Sequence, residues 1–195
     1  MRGRSDPAAA LLSGVQNADA PPRMNVFLVG PMGSGKSAVG RQLAQRLALE
    51  FIDSDAEIEA RTGVDIAYIF EREGEAGFRS REAEVIDALS RREGVLVSTG
   101  GGAILDAGTR ERLRARGRVV YLRTSVDQQL ARTRRSNDRP LLNNDDPRGT
   151  LERLFQQRAP LYDEVAEIVV DTDGRKVKTV VEHICRELGV PGEAP

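Results

Sequence analysis

Met24–Ala48 reads MNVFLVGPMGSGKSAVGRQLAQRLA, and its succession of apolar run, glycine-rich turn and helical stretch decides the fold. Val26, Phe27, Leu28 and Val29 form a short apolar run suited to a buried strand. Gly30-Pro31-Met32-Gly33-Ser34-Gly35-Lys36-Ser37 then fits G-x-x-x-x-G-K-[ST] at every fixed position, in the strand–loop–helix setting that the pattern requires. The spacing has a chemical cause. Glycines let successive backbone N–H groups turn inward around an anion, and the helix that follows points its positive end at the same place. Lys36 can reach the β- and γ-phosphates, and the Ser37 hydroxyl can ligate Mg²⁺. The stretch predicts nucleotide binding by Gly33, Ser34, Gly35, Lys36, Ser37 and Ala38, and leaves the acceptor of the phosphate open.

Composition sets limits around it. A chain of 195 residues can bury one sizeable core. Charged residues make up 30% and nearly cancel, to a formal charge of -1, so no global field points to nucleic acid or an anionic membrane. No apolar run is long enough to span a bilayer. The single Cys185 excludes an internal disulfide and a cysteine-rich metal site. With no signal peptide, a cytoplasmic location is expected. Residues 1–23, rich in Ala and Pro and without sustained periodicity, are expected to form a flexible tail. A transit peptide is the rival reading; Arg2 and Arg4 suit it, Asp6 and Asp19 do not.

Strands and helices alternate along the rest. After the first helix, with Val39, Leu43 and Leu47 on one face, Phe51–Asp53 reads as a second strand. Asp55–Arg61 reads as a helix with Asp55 at its N-cap and Gly63 as its stop. Ile66–Glu73 reads as a short helix ending at Gly74, and Glu75–Glu93 as a longer one. In the longer helix Phe78, Glu82, Val85, Ile86 and Leu89 share a stripe, so Glu82 is a carboxylate on an apolar face. Val95–Ser98, Val119–Leu122 and Ile168–Val170 are further strands; helices are expected at Ala107–Arg116, from Val126 to about Arg134, at Arg148–Ala159 and from about Val177. Between them, Ser136–Pro147 is a long polar loop holding Arg139-Pro140, of the kind that is functional or disordered. The alternation predicts an α/β fold, a parallel sheet covered on both faces, with ligands at the carboxyl ends of the strands.

Several residues at those strand ends suit phosphoryl transfer to a small anionic acceptor. Asp53 and Asp55 lie two apart, where an extended chain points both the same way. One suits the Mg²⁺ shell and the other an acceptor hydroxyl; the alternative is a helix cap beside a solvated carboxylate. Arg79 lies three residues from Glu82 and can pair with it. Arg158, at the end of a stripe of Leu151, Leu154 and Phe155, has no obvious local partner. It is either a carboxylate-binding arginine or one that snorkels to the surface. Gly100, Gly101 and Gly102 leave bare backbone at a strand end, for a ligand's close approach or for a flexible loop. Arg139 suits the role of an arginine finger, or belongs to a disordered charged loop. His183 reads as a surface residue and Cys185 as a small buried hydrophobe.

Taken together, GPMGSGKS, FIDSD, GFRSRE, STGGG, DRPLL and RAPLY, from about Asn25 to Leu188, resemble the shikimate kinases in order and spacing. The resemblance implies a three-layer α/β/α sandwich with a five-stranded parallel sheet, of the P-loop nucleoside-monophosphate-kinase type, as a single domain over 24–190 with a mobile lid at about 134–148. It implies ATP and shikimate as substrates and Mg²⁺ as cofactor. By the same resemblance Asp55 binds the substrate hydroxyls and is the proposed base, and Asp53 supports the metal with Ser37. Arg79 and Arg158 hold the substrate carboxylate, Gly100, Gly101 and Gly102 line its pocket, and Phe70 and Phe78 form an apolar wall. Arg139 comes from the lid, and Arg132 and Arg175 flank the adenine. A monomer acting on small molecules is expected, with no nucleic acid or membrane partner. The near rival is a kinase of another small acid such as gluconate. A nucleotide-dependent switch is the rival from another class: Asp171-Thr172-Asp173-Gly174 fits D-x-x-G, but it lies far from the loop and no N-K-x-D guanine signature occurs.

Overall fold

The computed structural model describes residues 24–133 and 145–190. The expected tail at 1–23 and residues 134–144, including Arg139, lie outside the described residues. Five parallel strands form one sheet in the order β2-β3-β1-β4-β5. They are β1 (Val26–Val29), β2 (Glu50–Asp53), β3 (Val95–Ser98), β4 (Arg118–Arg123) and β5 (Ile168–Asp171). The helices are α1 (Lys36–Leu47), α2 (Ser54–Thr62), α3 (Ile66–Ser90), α4 (Ala107–Arg116), α5 (Val126–Thr133), α6 (Pro147–Val165) and α7 (Val177–Glu187).

β1 sits at the centre, with Phe27 level with Val97 on one neighbour and Val119 on the other. Every residue of β1 and β3 is buried, as a strand covered on both faces requires. Side chains alternate between two cores. Phe27, Val29, Val97 and Tyr121 meet Ile86 and Leu89 of α3, Leu113 of α4 and Tyr162 of α6. Val26, Leu28, Leu96 and Val120 meet Val39 and Leu43 of α1 and Val181 and Ile184 of α7, beside the buried Cys185. The result is the three-layer sandwich expected from the alternation. Gly40 brings α1 close to β2: a Cβ there would fall 2.5 Å from Cε2 of Phe51. No helix among the described residues is long and apolar enough to cross a membrane.

Three helices are bounded differently from the sequence reading. Helix α2 starts at Ser54 and is capped by Asp53, whose Oδ1 accepts from the Asp55 N–H at 3.1 Å. Asp55 is therefore in the first helical turn, because the chain leaves the extended conformation one residue after Asp53. The helices expected on either side of Gly74 meet without a loop, kinked at Gly74 (φ 71°, ψ -178°), and the joined helix ends at Ser90. Helix α6 begins at Pro147 and runs through Pro160 to Val165 instead of stopping at Ala159. An interior proline costs about 3 kcal/mol. Beyond it Tyr162 and Val165 are both buried in the core, and burying a side chain of Val165's size alone returns roughly 1.5–3 kcal/mol, so packing keeps the last turn helical.

Candidate active site

The loop after β1 turns on Gly30, Gly33 and Gly35, all with positive φ. At Gly30 no other residue fits, since a Cβ would lie 2.6 Å from the Leu122 carbonyl oxygen. Gly35 caps α1 without a side-chain bond to the first turn, which leaves the helix's leading N–H groups for an anion. The Lys36 ammonium donates to the carbonyls of Gly30 (2.8 Å) and Pro31 (2.9 Å) and to Ser34 Oγ (3.4 Å). Ser34, within the loop, is itself buried. Ser37 Oγ donates to Asp53 Oδ2 at 2.9 Å, which brings the two expected metal-facing groups together.

A cleft of about 720 Å³ opens along this rim. Gly33, Gly35, Lys36, Ser37, Ala38, Asp53, Asp55 and Arg132 line it, and so do Phe70, Phe78, Arg79, Glu82, Gly100, Gly101 and Arg158. Most of the donor and acceptor groups expected from sequence thus share one cavity. Phe70 and Phe78 pack with ring centroids 4.8 Å apart. Among the described residues no group of three or more His, Cys, Asp or Glu could hold a metal ion by itself. Ser37 and Asp53 are hard oxygen donors, and one carboxylate and one hydroxyl fit Mg²⁺, which keeps waters and takes phosphate oxygens.

The two arginines have opposite surroundings. Arg79 Nη1 donates to Glu82 at 2.7 Å and Nη2 to Glu75 at 3.0 Å. Burial works against its charge, but the two carboxylates more than offset it and hold the guanidinium above its usual pKa. Burial pushes the Glu82 carboxyl up, and Arg79 opposes that rise. Arg158 is 5% exposed and has no ion pair among the described residues; its Nε has no hydrogen-bond partner there. Burial lowers its pKa, with Tyr162 opposing and Arg79 adding to the fall. A buried guanidinium on a cleft wall, with no carboxylate at ion-pair distance among the described residues, is suited to one supplied by a ligand. The snorkelling alternative does not hold.

The glycines divide by what they touch. A Cβ on Gly100 would lie 2.1 Å from Glu82 Oε1 and 2.9 Å from Asp55 Oδ1; one on Gly102 would lie 2.3 Å from the Arg79 guanidinium. Gly102 lines a smaller neighbouring cavity of about 240 Å³, together with Arg79. Gly101 has only ordinary contacts, with Gly30 O, Met32 N and the Tyr162 hydroxyl. The close approach of side chains, rather than loop flexibility, accounts for bare backbone at Gly100 and Gly102.

Arg132 reaches the phosphate loop, donating to Gly33 O at 2.9 Å and to Thr172 O at 3.2 Å. Arg175 is exposed and absent from the cleft lining; its charge acts on Asp171. The D-x-x-G stretch serves the structure: Asp171 pairs with Arg123, and Asp173 accepts from Thr124 and Ser125. Two residues escaped the sequence reading. Ser54 Oγ accepts from Gly100 N at 3.0 Å, and the Tyr162 hydroxyl donates to Gly101 O at 2.5 Å. Tyr162 stands four residues from Arg158 on the inward face of α6, a signal that could have marked it; its partner could not be read without the topology.

The family profile for shikimate kinase matches residues 32–189. A shikimate kinase from Shewanella amazonensis is 54% identical over 167 residues, covering 86% of this chain and 98% of that protein. A solved shikimate kinase from Acinetobacter baumannii, in complex with shikimate, is 48% identical with a TM-score of 0.83, over 85% of this chain and 93% of that one. A gluconokinase from Sinorhizobium meliloti, 20% identical with a TM-score of 0.56 over 87% of this chain and 94% of that one, shares the fold alone.

Proposed function

The chain belongs to the shikimate kinase family, and from that premise we propose that it transfers the γ-phosphoryl group of ATP to the 3-hydroxyl of shikimate, giving ADP and shikimate 3-phosphate. The observation that carries this reading is Arg158, a buried cation without an acidic partner among the described residues, in the same cleft as the phosphate loop. An acceptor bearing a carboxylate answers it; a neutral nucleoside does not.

Roles follow from position. The phosphate loop N–H groups, from Gly33 to Ala38, hold the phosphate chain, and Lys36 exchanges its loop carbonyls for β- and γ-phosphate oxygens. Ser37 and Asp53 hold Mg²⁺ with the nucleotide, which when bound neutralises charge on the phosphate oxygens. Arg79 and Arg158 clamp the acceptor carboxylate, against the wall of Phe70 and Phe78 and the backbone of Gly100, Gly101 and Gly102. Asp55 aligns the acceptor hydroxyl and takes its proton as the new O–P bond forms and the bond from the γ-phosphorus to the bridging oxygen breaks. Arg132 braces the nucleotide end of the loop. Arg139, outside the described residues, is the arginine for neutralising the transferring group in this reading. The exposed Arg175 enters only as a group near the adenine. The enzyme works in this reading as a cytoplasmic monomer on small molecules.

The test is ADP release by the purified chain with Mg²⁺ and ATP, against a panel of shikimate, gluconate and a nucleoside. Release that depends on shikimate and on neither of the others is expected. Release with gluconate instead would move the chain to the near rival, and turnover with no acceptor dependence would remove the kinase reading.

A further inference from the structure

We infer that Tyr162 is a positioning residue that joins the acceptor's carboxylate clamp to the glycine cradle, so that its hydroxyl tunes acceptor affinity without touching the nucleotide. The inference rests on the acceptor reading above. Tyr162 is 1% exposed and its ring stacks on Tyr121 at 4.9 Å between centroids. The stack fixes the ring in the core and leaves only its hydroxyl to act at the rim. That hydroxyl donates to Gly101 O at 2.5 Å and also meets the Arg158 side chain. Burial raises its pKa well above the ordinary tyrosine range, so it stays a donor across the working pH.

A Cβ at Gly101 would lie 3.5 Å from both Gly30 O and Met32 N of the phosphate loop and 3.6 Å from the Tyr162 hydroxyl. The peptide that Tyr162 holds therefore runs between the loop that grips the donor and the arginine suited to the acceptor. With the Gly101 carbonyl engaged by Tyr162, this peptide keeps one orientation in the cleft. The same hydroxyl lies against the Arg158 side chain, whose Nε has no hydrogen-bond partner among the described residues. An ordered peptide lowers the cost of binding an anionic acceptor, and the Tyr162 hydroxyl itself has no hydrogen bond to the phosphate loop among the described residues. Tyr121 supplies the control. Its hydroxyl is buried with no hydrogen-bond partner among the described residues, so its removal spares the contacts to Gly101 and Arg158.

The experiment compares wild type, Y162F and Y121F in steady-state kinetics with Mg²⁺-ATP and shikimate, each checked by thermal unfolding. Loss of one such hydrogen bond corresponds to roughly a 3- to 10-fold effect. The expected result is a KM for shikimate raised by that factor in Y162F, with kcat and the KM for ATP within about twofold of wild type by the same reasoning, and no change in Y121F. An unchanged shikimate KM in Y162F overturns the inference. So does an equal loss in both KM values, which would mark Tyr162 as merely structural. If Y162F unfolds early, R158K and the double variant R158K/Y162F are compared under ligand-saturated conditions; additive losses overturn the link between the two side chains. Wild type that turns over ATP with another acid but not with shikimate overturns the acceptor reading, and shows up separately, before any variant is made.

Discussion

Ser37 and Asp53 are joined across sixteen residues of sequence by a 2.9 Å hydrogen bond from Ser37 Oγ to Asp53 Oδ2. The other oxygen of the same carboxylate caps α2 through the Asp55 N–H. In the proposed reading Asp53 therefore serves the metal side as well as the backbone, and substitutions can separate the two. Asp53→Asn keeps an oxygen for the cap but loses the charge. It should fold like wild type, turn over at least about tenfold more slowly and need more Mg²⁺ for half-maximal rate. Asp53→Ala should in addition lose about 1 kcal/mol of stability with the cap. Magnesium titrations and denaturant melts on both variants check this; equal melting losses in the two would disconnect the cap from Asp53.

Arg158→Ala should raise the KM for shikimate by roughly 10- to 100-fold, the value of a charge-assisted pair, and leave ATP affinity near wild type. The unliganded protein should at the same time resist denaturant at least as well as wild type, because an unpaired buried cation is removed. Nucleotide and shikimate titrations on one preparation decide it. A parallel fall in both affinities would count against a carboxylate clamp.

The three glycines should not behave alike. Gly101→Ala meets only ordinary contacts from the protein and should fold normally. Gly100→Ala runs into Glu82, which is nearly fully buried, and should cost about 1–3 kcal/mol. Gly102→Ala meets the far end of the Arg79 side chain, which can move, so the loss should fall on shikimate KM rather than on stability. Thermal melts and kinetics on the three variants test the order.

Glu82 gives the site a pH dependence. Burial raises its pKa, and Arg79 opposes the rise without cancelling it. A raised carboxyl pKa means that the folded protein binds this proton more tightly than the unfolded chain does. Glu82 therefore stabilises the fold below the ordinary carboxylate range, and that contribution is lost as pH rises through the raised pKa. Function runs the other way: orienting Arg79 needs the ionised carboxylate. The shikimate KM should rise as pH falls through the raised pKa, and Glu82→Gln should flatten that rise while starting from a higher KM. KM against pH for both proteins is the measurement; matching slopes would remove Glu82 as the titrating group.

Local chemistry was what the sequence made legible. The phosphate loop is contiguous, and β1, β3 and β4 carry the apolar runs that a doubly covered sheet needs, so both could be read without coordinates. Glu82 and Arg79 stood out because a charge on a helical apolar stripe must be paired. Arg158 could be seen as odd, but its buried, unpartnered state depends on where α6 lies. Ser54 with Gly100 and Tyr162 with Gly101 are 46 and 61 residues apart, and only the strand order brings them together. The misplaced cap at α2 arose from two aspartates that qualify equally well by residue type. The helix boundary at Pro160 arose from a local rule that burial of Tyr162 and Val165 outweighs.

Gly40 on α1 and Phe51 on β2 carry no polar side-chain atom and do not line the cleft, yet in the proposed reading they act as the ruler for the metal pair. Ser37 is one turn before Gly40 on α1, and Asp53 is two residues after Phe51 on β2. The separation of the hydroxyl and the carboxylate is therefore set by how nearly a helix backbone can rest on an aromatic ring. A methyl group added at Gly40 should appear first as a weakened hold on Mg²⁺, in an assay of a site that the substitution never enters.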